Sequence, residues 1–395
     1  MKKVLIVGAG FLQAFVIRKA KEMGYYTITI DGNPNSIGFK YADDFSVIDI
    51  VDQKACLKYA QAMKIDGVMT AATDYGVLST AYIAKEMNLP GLKNEVAKVI
   101  KNKYIVRREL FRKNVDDVSQ YYEISNTDEL DEIRNLIKFP VMIKPCDGSG
   151  SKATKKVDSY SDLLDACDRA IKASLIGKAL IEDFIEGKEY GIESLVYNGK
   201  VYVLGVMGKY MTNPPDFAEL GHFIPSQLPI ERDVKEVAKN AIEALGINFG
   251  AVNMDVLVTK DNRICIIDIG ARMGGNLIGS HIIPVGTGVD YMGSLIRASL
   301  GDTVDFETQK SGVNVVTKIL ALDPGEVIGL PNFSIIKEKF GVDIYHDLKV
   351  GSLISEYHNN LDGNGYVVSV AKDIRKAEKR AEETKNMINK GIRRG

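Results

Sequence analysis

Short β-branched runs alternate with amphipathic stretches through the first ninety residues, and this alternation restricts the fold more than any other feature of the chain. Val4–Val7, Tyr26–Ile30, Phe45–Ile50 and Val68–Thr70 predict strands. Phe11–Met23, Lys54–Met63 and Val77–Met87 predict the intervening helices, the first closed by Gly24 and the last by Leu89-Pro90-Gly91. Parallel strands need a crossover of about a dozen residues or more, usually a helix, so this spacing implies a parallel, doubly wound sheet.

From Leu92 the pattern changes, opening with two helices, Val96–Asn102 and Ile105–Lys113. A strand at Val118–Glu123, a helix from Thr127, a strand at Phe139–Lys144 and a helix over Asp162–Ala173 follow. Ala179–Ile185, Tyr190–Tyr197 and Val201–Lys209 read as antiparallel strands because their connections are short, and Asn198-Gly199 is a hairpin signal. After a helix at Asp233–Leu245, the strands Gly250–Val258 and Arg263–Ile269 are joined by Lys260-Asp261-Asn262. A helix near Val289–Leu300, short strands from Val313 to Val370 and a charged helix from Ile374 to Ile388 complete the pattern.

Composition narrows the function classes. Lys+Arg is 51 against 52 Asp+Glu, a balance that argues against a general nucleic-acid binder. No window reaches the length of apolar chain that a membrane span needs. The apolar part of the N-terminus is only Val4–Val7, too short for a signal sequence, so a cytoplasmic protein is expected. Cys56, Cys146, Cys167 and Cys265 form no CxxC pair and read as reduced, buried thiols. His222, His281, His346 and His358 lack zinc-ligand spacing. The 36 glycines against 11 prolines point to turns and to backbone that approaches a ligand.

Several motifs carry chemistry. Gly8-Ala9-Gly10 with Asp31 invites an NAD(P) site, but the third glycine of that fingerprint is Gln13, and a plain strand-to-helix turn accounts for the rest. Lys144 ends an apolar strand just before Gly148-Ser149-Gly150-Ser151, and such a loop can wrap N–H groups and hydroxyls around phosphate oxygens. A Gly/Ser turn is the bland alternative. Asp255 and Asp268 lie on neighbouring predicted strands joined by a short turn, so they can face each other across a ladder. Like charges so placed repel unless a cation sits between them. Magnesium, which binds one or two carboxylates together with substrate phosphates, suits the pair, with manganese as a second candidate.

Taken in order, these segments resemble the ATP-grasp superfamily of carboxylate–amine ligases, in particular its amino-acid-ligase and carbamoyl-phosphate-synthase-like branch. The matching residues are Asn102-Lys103, Ile143-Lys144-Pro145, Gly148–Ser151, Glu182-Asp183-Phe184-Ile185 with Gly187 and Glu189, Asp255, and Asp268 through Arg272. The resemblance implies an α/β chain, α+β in the nucleotide region, with four parts. These are a Rossmann-like pre-ATP-grasp domain (1–92), a small subdomain with the lid (93–185), a large subdomain with the metal site (186–320) and a C-terminal lobe (321–395). It further implies that Lys103 and Lys144 bind ATP phosphates under a lid made by Gly148, Ser149, Gly150 and Ser151. Glu182, Asp183, Phe184 and Ile185 would form the adenine hinge, and Glu189 would take the ribose. Asp255 and Asp268 would ligate the metal, and Arg272 would sit by the γ-phosphate. Many members carry Asn where Gly270 stands here, although the N5-carboxyaminoimidazole ribonucleotide synthetases also have a small residue there; water or Asn276 is an expected substitute.

The implied reaction joins a small carboxylate, such as an amino acid, to an amine through an acyl phosphate. Candidate substrate residues are Asp74, at the carboxyl end of a parallel sheet, together with His222, Asn276 and Arg297. His222 reads equally well as a loop histidine near the surface, and Arg297 as a solvated helix residue. The partners expected are small molecules, with neither nucleic acid nor membrane, and the resemblance implies a homodimer through the first domain. Two other classes stay open at this point: an NAD(P) oxidoreductase and a non-catalytic ATP-binding scaffold.

Overall fold

A computed structural model describes residues 1–148, 150–214, 217–304 and 311–395. Strands β1 (Lys3–Val7), β2 (Tyr26–Asp31), β3 (Asp44–Val47) and β4 (Gly67–Thr70) form a parallel sheet in the order β3-β2-β1-β4. Val4, Leu5, Ile6 and Val7 are all fully buried, as expected of a parallel strand covered on both faces. Gly8 turns the chain at φ +100°, where a side chain would be strained, and a Cβ there would also crowd the Gln13 side chain. Gln13 opens the first helix (Gln13–Glu22), and its amide nitrogen donates to Ala71 O at 2.6 Å. The Asp31 carboxylate accepts from the backbone N–H groups of Ala9 (2.7 Å) and Asn33 (2.9 Å). Both side chains are thus spent on shaping the turn, which leaves the dinucleotide reading without support.

The second sheet is antiparallel, with β5 (Tyr121–Ile124), β6 (Val141–Pro145), β7 (Lys155–Val157) and β8 (Ala179–Asp183) in the order β5-β8-β6-β7. Helix Tyr160–Ala173 covers it with Leu163, Ala166, Cys167 and Ala170, one face at helical spacing. Leu163 alone, fully buried, contributes about 1.5–3 kcal/mol. Two local expectations shift. The strand expected from Val118 begins at Tyr121, because the Asp116 carboxylate accepts the Val118 N–H and holds the preceding residues in a turn. The helix expected from Thr127 is a 3-10 turn (Thr127–Glu129) and a single α turn (Leu130–Ile133), in which only Leu130 is buried. One apolar residue does not make a face to pack.

The largest sheet takes β9 (Lys188–Tyr197), β10 (Lys200–Met211), β11 (Glu219–Ile224), β12 (Gly250–Val258), β13 (Ile264–Gly270) and β14 (Asn314–Ile319). A small sheet of β15 (Gly325–Gly329), β17 (Leu353–Ile354) and β19 (Arg393–Arg394) flanks it. With β16 (Asp343–His346) and β18 (Gly365–Ala371) the large sheet runs β13-β12-β9-β10-β11-β14-β18-β16. The β9–β10 hairpin turns at Asn198 (φ 50°) and Gly199 (φ 72°), as the Asn-Gly pair predicts. Along β9 and β12, Tyr190, Ile192, Val252, Met254 and Val256 pack beneath helix Glu231–Ala244. The alternate residues Glu189, Glu193, Asn253 and Asp255 therefore face the other way. That polar face is the floor of the site. The first sheet closes over one end of it, with Ala71 bridged to Met273 and a shared core of Val4, Ile6, Leu277, Ile278 and Leu295.

Candidate active site

A cleft of about 1270 Å³ lies between the second sheet, the polar face of the large sheet and the loops after β1 and β4. Of the residues singled out from sequence, Lys103, Lys144, Gly148, Gly150, Ser151, Glu182, Asp183, Phe184, Ile185, Glu189, Asp255, Asp268, Arg272, Asp74 and Asn276 all line it. Ser149 falls outside the described residues. His222 and Arg297 are not among the lining residues. Arg297 pairs with Asp290 on its own helix at 3.3 Å, the arrangement of a solvated helix residue. His222 lies on β11 rather than in a surface loop, is fully buried, and neither ring nitrogen has a hydrogen-bond partner among the described residues. Burial lowers its pKa to about 4, with the Glu219 carboxylate 3.8 Å away opposing that shift.

Asp255 and Asp268 are cross-strand partners between β12 and β13, as their spacing suggested. Each has a lysine of its own. Lys103, which opens helix Lys103–Arg112 just after its Asn102 cap, makes a short ion pair with Asp268. Desolvation opposes ionisation of Asp268, but Lys103, then Lys144 and Arg272, outweigh it and hold the carboxyl at about 2. Lys209 lies between Asp255 (3.0 Å), Glu219 (2.5 Å) and Glu189 (3.2 Å). Burial raises the Asp255 carboxyl, helped by Glu219 and Glu189 and opposed by Lys209. Two facing carboxylates with open cleft beside them form a donor set suited to a hard divalent cation that completes its shell with phosphate oxygens and water. Among the described residues the only cluster of three such groups, Asp116, Asp117 and Cys265, lies outside the cleft lining, with Asp116 already paired to Arg107.

The hinge role implied for Glu182 is chiefly one of its backbone, and its side chain is engaged elsewhere. It is buried, with one oxygen 2.7 Å from Lys144 Nζ and the other 2.9 Å from Arg107 Nε. Arg107 also donates to Asp116 (2.8 Å) and to Ile266 O (2.6 Å), tying its helix to β8 and β13. β8 ends at Asp183, so Phe184 and Ile185 line the cleft from a connecting segment. Gly270 has a local reason. A Cβ at that position would lie 3.0 Å from Asp74 Oδ1, the space taken by the ion pair of Asp74 with Arg272 (2.9 Å). Asn276, the expected substitute, has its amide donating to Glu219 and accepting from the Tyr366 hydroxyl at 3.1 Å.

Sequence reasoning missed Arg107, Glu193, Lys209 and Glu219. Arg107 was within reach, being four residues after Lys103 on one helix face. Lys209 and Glu219 meet only through the irregular β10–β11 register, in which Lys209 pairs with His222 and Met211 with Glu219.

The fold is the ATP-grasp fold, and Lys103 and Lys144 share its cleft with the paired Asp255 and Asp268. Residues 137–280 match the ATP-grasp domain family, so the chain carries an ATP-grasp domain. It is 24% identical over 323 residues to the protein y4rH of Sinorhizobium fredii, covering 80% of this chain and 66% of that one. It is 26% identical over 280 residues to a formate-dependent phosphoribosylglycinamide formyltransferase of Methanococcus maripaludis, covering 67% and 68%. The structure superposes on an L-amino acid ligase from Bacillus licheniformis with a TM-score of 0.86 at 20% identity, covering 98% and 97% of the two chains.

Proposed function

We propose that the chain joins a small carboxylate, of the amino-acid type, to an amine through an acyl phosphate, releasing ADP and phosphate. The observation that carries this reading is the convergence of Lys103, Lys144, Asp255, Asp268 and Arg272 on one cleft. In this reading Lys103 and Lys144 exchange their carboxylate partners for ATP phosphates, and Phe184 and Ile185 hold the adenine. The Gly148–Ser151 segment closes over the phosphates and keeps water from the acyl phosphate. Asp255 and Asp268 would hold magnesium, which supplies charge neutralisation at the transferring phosphoryl group. Arg272 neutralises charge at the carboxylate oxygen as it attacks phosphorus, and a neutral amine then displaces phosphate from the acyl carbon.

The acceptor end favours an amino-acid-like substrate over a phosphorylated sugar. Asp74, Glu219, Asn276, Asn360 and Tyr366 line it. Lys209 there is held by three carboxylates, and Arg272 by Asp74 alone, which leaves Arg272 the charge to meet one substrate carboxylate. The test is ADP release across a panel of carboxylates and amines with ATP and magnesium, followed by mass spectrometry of the product. Formate with phosphoribosylglycinamide belongs in the panel. Turnover only with that pair refutes the substrate class, and ATP binding without ADP release from any pair refutes the ligase reading in favour of a scaffold.

A further inference from the structure

Beneath Arg272 lies a carboxylate that the proposed chemistry leaves unused. Glu193 is completely buried, and its partners are all donors: Gly274 N–H at 2.9 Å, the Tyr291 hydroxyl at 2.8 Å and Asn253 Nδ2 at 3.0 Å. Gly274 approaches so closely that a Cβ there would fall 2.8 Å from Glu193 Oε2. By donating its amide nitrogen to Glu193, Asn253 is obliged to turn its oxygen the other way. That oxygen accepts from Arg272 Nη1 at 3.0 Å. Nη2 is held by Asp74 at 2.9 Å, and Nε, buried, has no hydrogen-bond partner among the described residues.

We propose that Glu193 is a positioning residue, which fixes the amide orientation of Asn253 and so aims the Arg272 guanidinium at the site of phosphoryl transfer. An Asn amide can present either end, and a neighbour that only accepts or only donates selects one; here Glu193 on one side and Arg272 on the other select the same orientation. Burial raises the Glu193 carboxyl to about 7, and the three donors around it favour the ionised form, which can only accept. Three donors satisfy it without a cation in direct contact, so the positive charge of Arg272 stays available to a substrate instead of being cancelled by a second ion pair. Asp74 supplies the other fixed point from the loop after β4, which makes the aim of Arg272 depend on closure between the first sheet and the large one. The inference rests on the ligase reading for its kinetic consequence, though not for its geometry.

Glu193→Gln keeps the size of the side chain; with its oxygen held by the Gly274 N–H and the Tyr291 hydroxyl, its amide nitrogen takes the place of Oε2 and faces the Asn253 Nδ2 donor. Asn253 is expected to rotate and present its own donor to Arg272. The expected result is a fall in kcat for ADP release on the order of 10²-fold, the cost of a misplaced catalytic group, while KM for ATP hardly moves. A crystal structure of E193Q should show Asn253 turned and the guanidinium displaced. Asn253→Ala, which leaves Glu193 with two donors and covers the case in which E193Q fails to fold, should lower kcat similarly. The double variant should lose little more than either single one, as expected of residues acting in series. Unmoved Asn253 and Arg272 in E193Q, equal losses in kcat and ATP affinity, or fully multiplicative losses in the double variant would overturn the proposal. If the wild type turns over no acid–amine pair, the ligase reading falls, and the crystallographic comparison still decides the role of Glu193.

Discussion

Lys144→Met is the most informative single perturbation, because it separates the electrostatics of the resting protein from those of ATP binding. Lys144, Arg107, Glu182 and Asp116 form a cluster with no net charge and side chains 14, 6, 4 and 1% exposed. Methionine keeps the stem and removes the ammonium, leaving one uncompensated negative charge in a nearly dry site. Breaking a buried pair in this way costs about 3–5 kcal/mol, and the value here belongs at the lower end because Arg107 still holds the second oxygen of Glu182. Chemical denaturation measures that loss. The companion variant Lys144→Met/Glu182→Gln returns the cluster to neutrality, and most of the stability should return with it. Turnover should not. One phosphate-facing cation lost from an enclosed site is expected to lower kcat/KM for ATP on the order of 10²–10³-fold in both variants. Coupled ADP assays on the single and double variants check this. Near-normal kcat/KM in K144M, or recovery of both stability and turnover in the double variant, would show Lys144 to be a structural counter-ion only.

Asp268→Asn should raise the magnesium concentration needed for half-maximal ADP release while leaving the fold intact; an unchanged magnesium titration refutes its ligand role. The unfolded chain protonates His222 near pH 6.5, but burial delays this in the folded state to about pH 4. The contribution of His222 is therefore complete above about pH 6.5 and lost as pH falls towards 4. His222→Phe should flatten the dependence of unfolding free energy on pH across that window, and an unaltered slope refutes the assignment. Burial pushes the thiols up to about 11 for Cys56 and Cys265 and about 12 for Cys146 and Cys167. A thiol reagent should thus modify the native protein slowly and all four cysteines rapidly in denaturant; one fast-reacting thiol in the native protein contradicts the burial.

The parallel first sheet was legible in the sequence because strands buried on both faces must be apolar throughout, and Val4–Val7 says so without reference to anything distant. The Asn198-Gly199 hairpin and the pairing of Asp255 with Asp268 were legible for a similar reason, since short turns fix register locally. Lys103 at the start of its helix, Lys144 near the end of its strand and the glycine-rich loop could likewise be read in order along the chain. Partnership was another matter. That Glu182 serves Lys144 and Arg107, that Lys209 gathers three carboxylates, and that Gly270 makes way for an ion pair from a loop almost two hundred residues earlier all depend on sheets meeting across a cleft. A residue's type and local period decide which way its side chain faces on an element. Which charge it then meets is set by packing between elements, and among buried side chains each such meeting biases a protonation state and an orientation that no local pattern encodes.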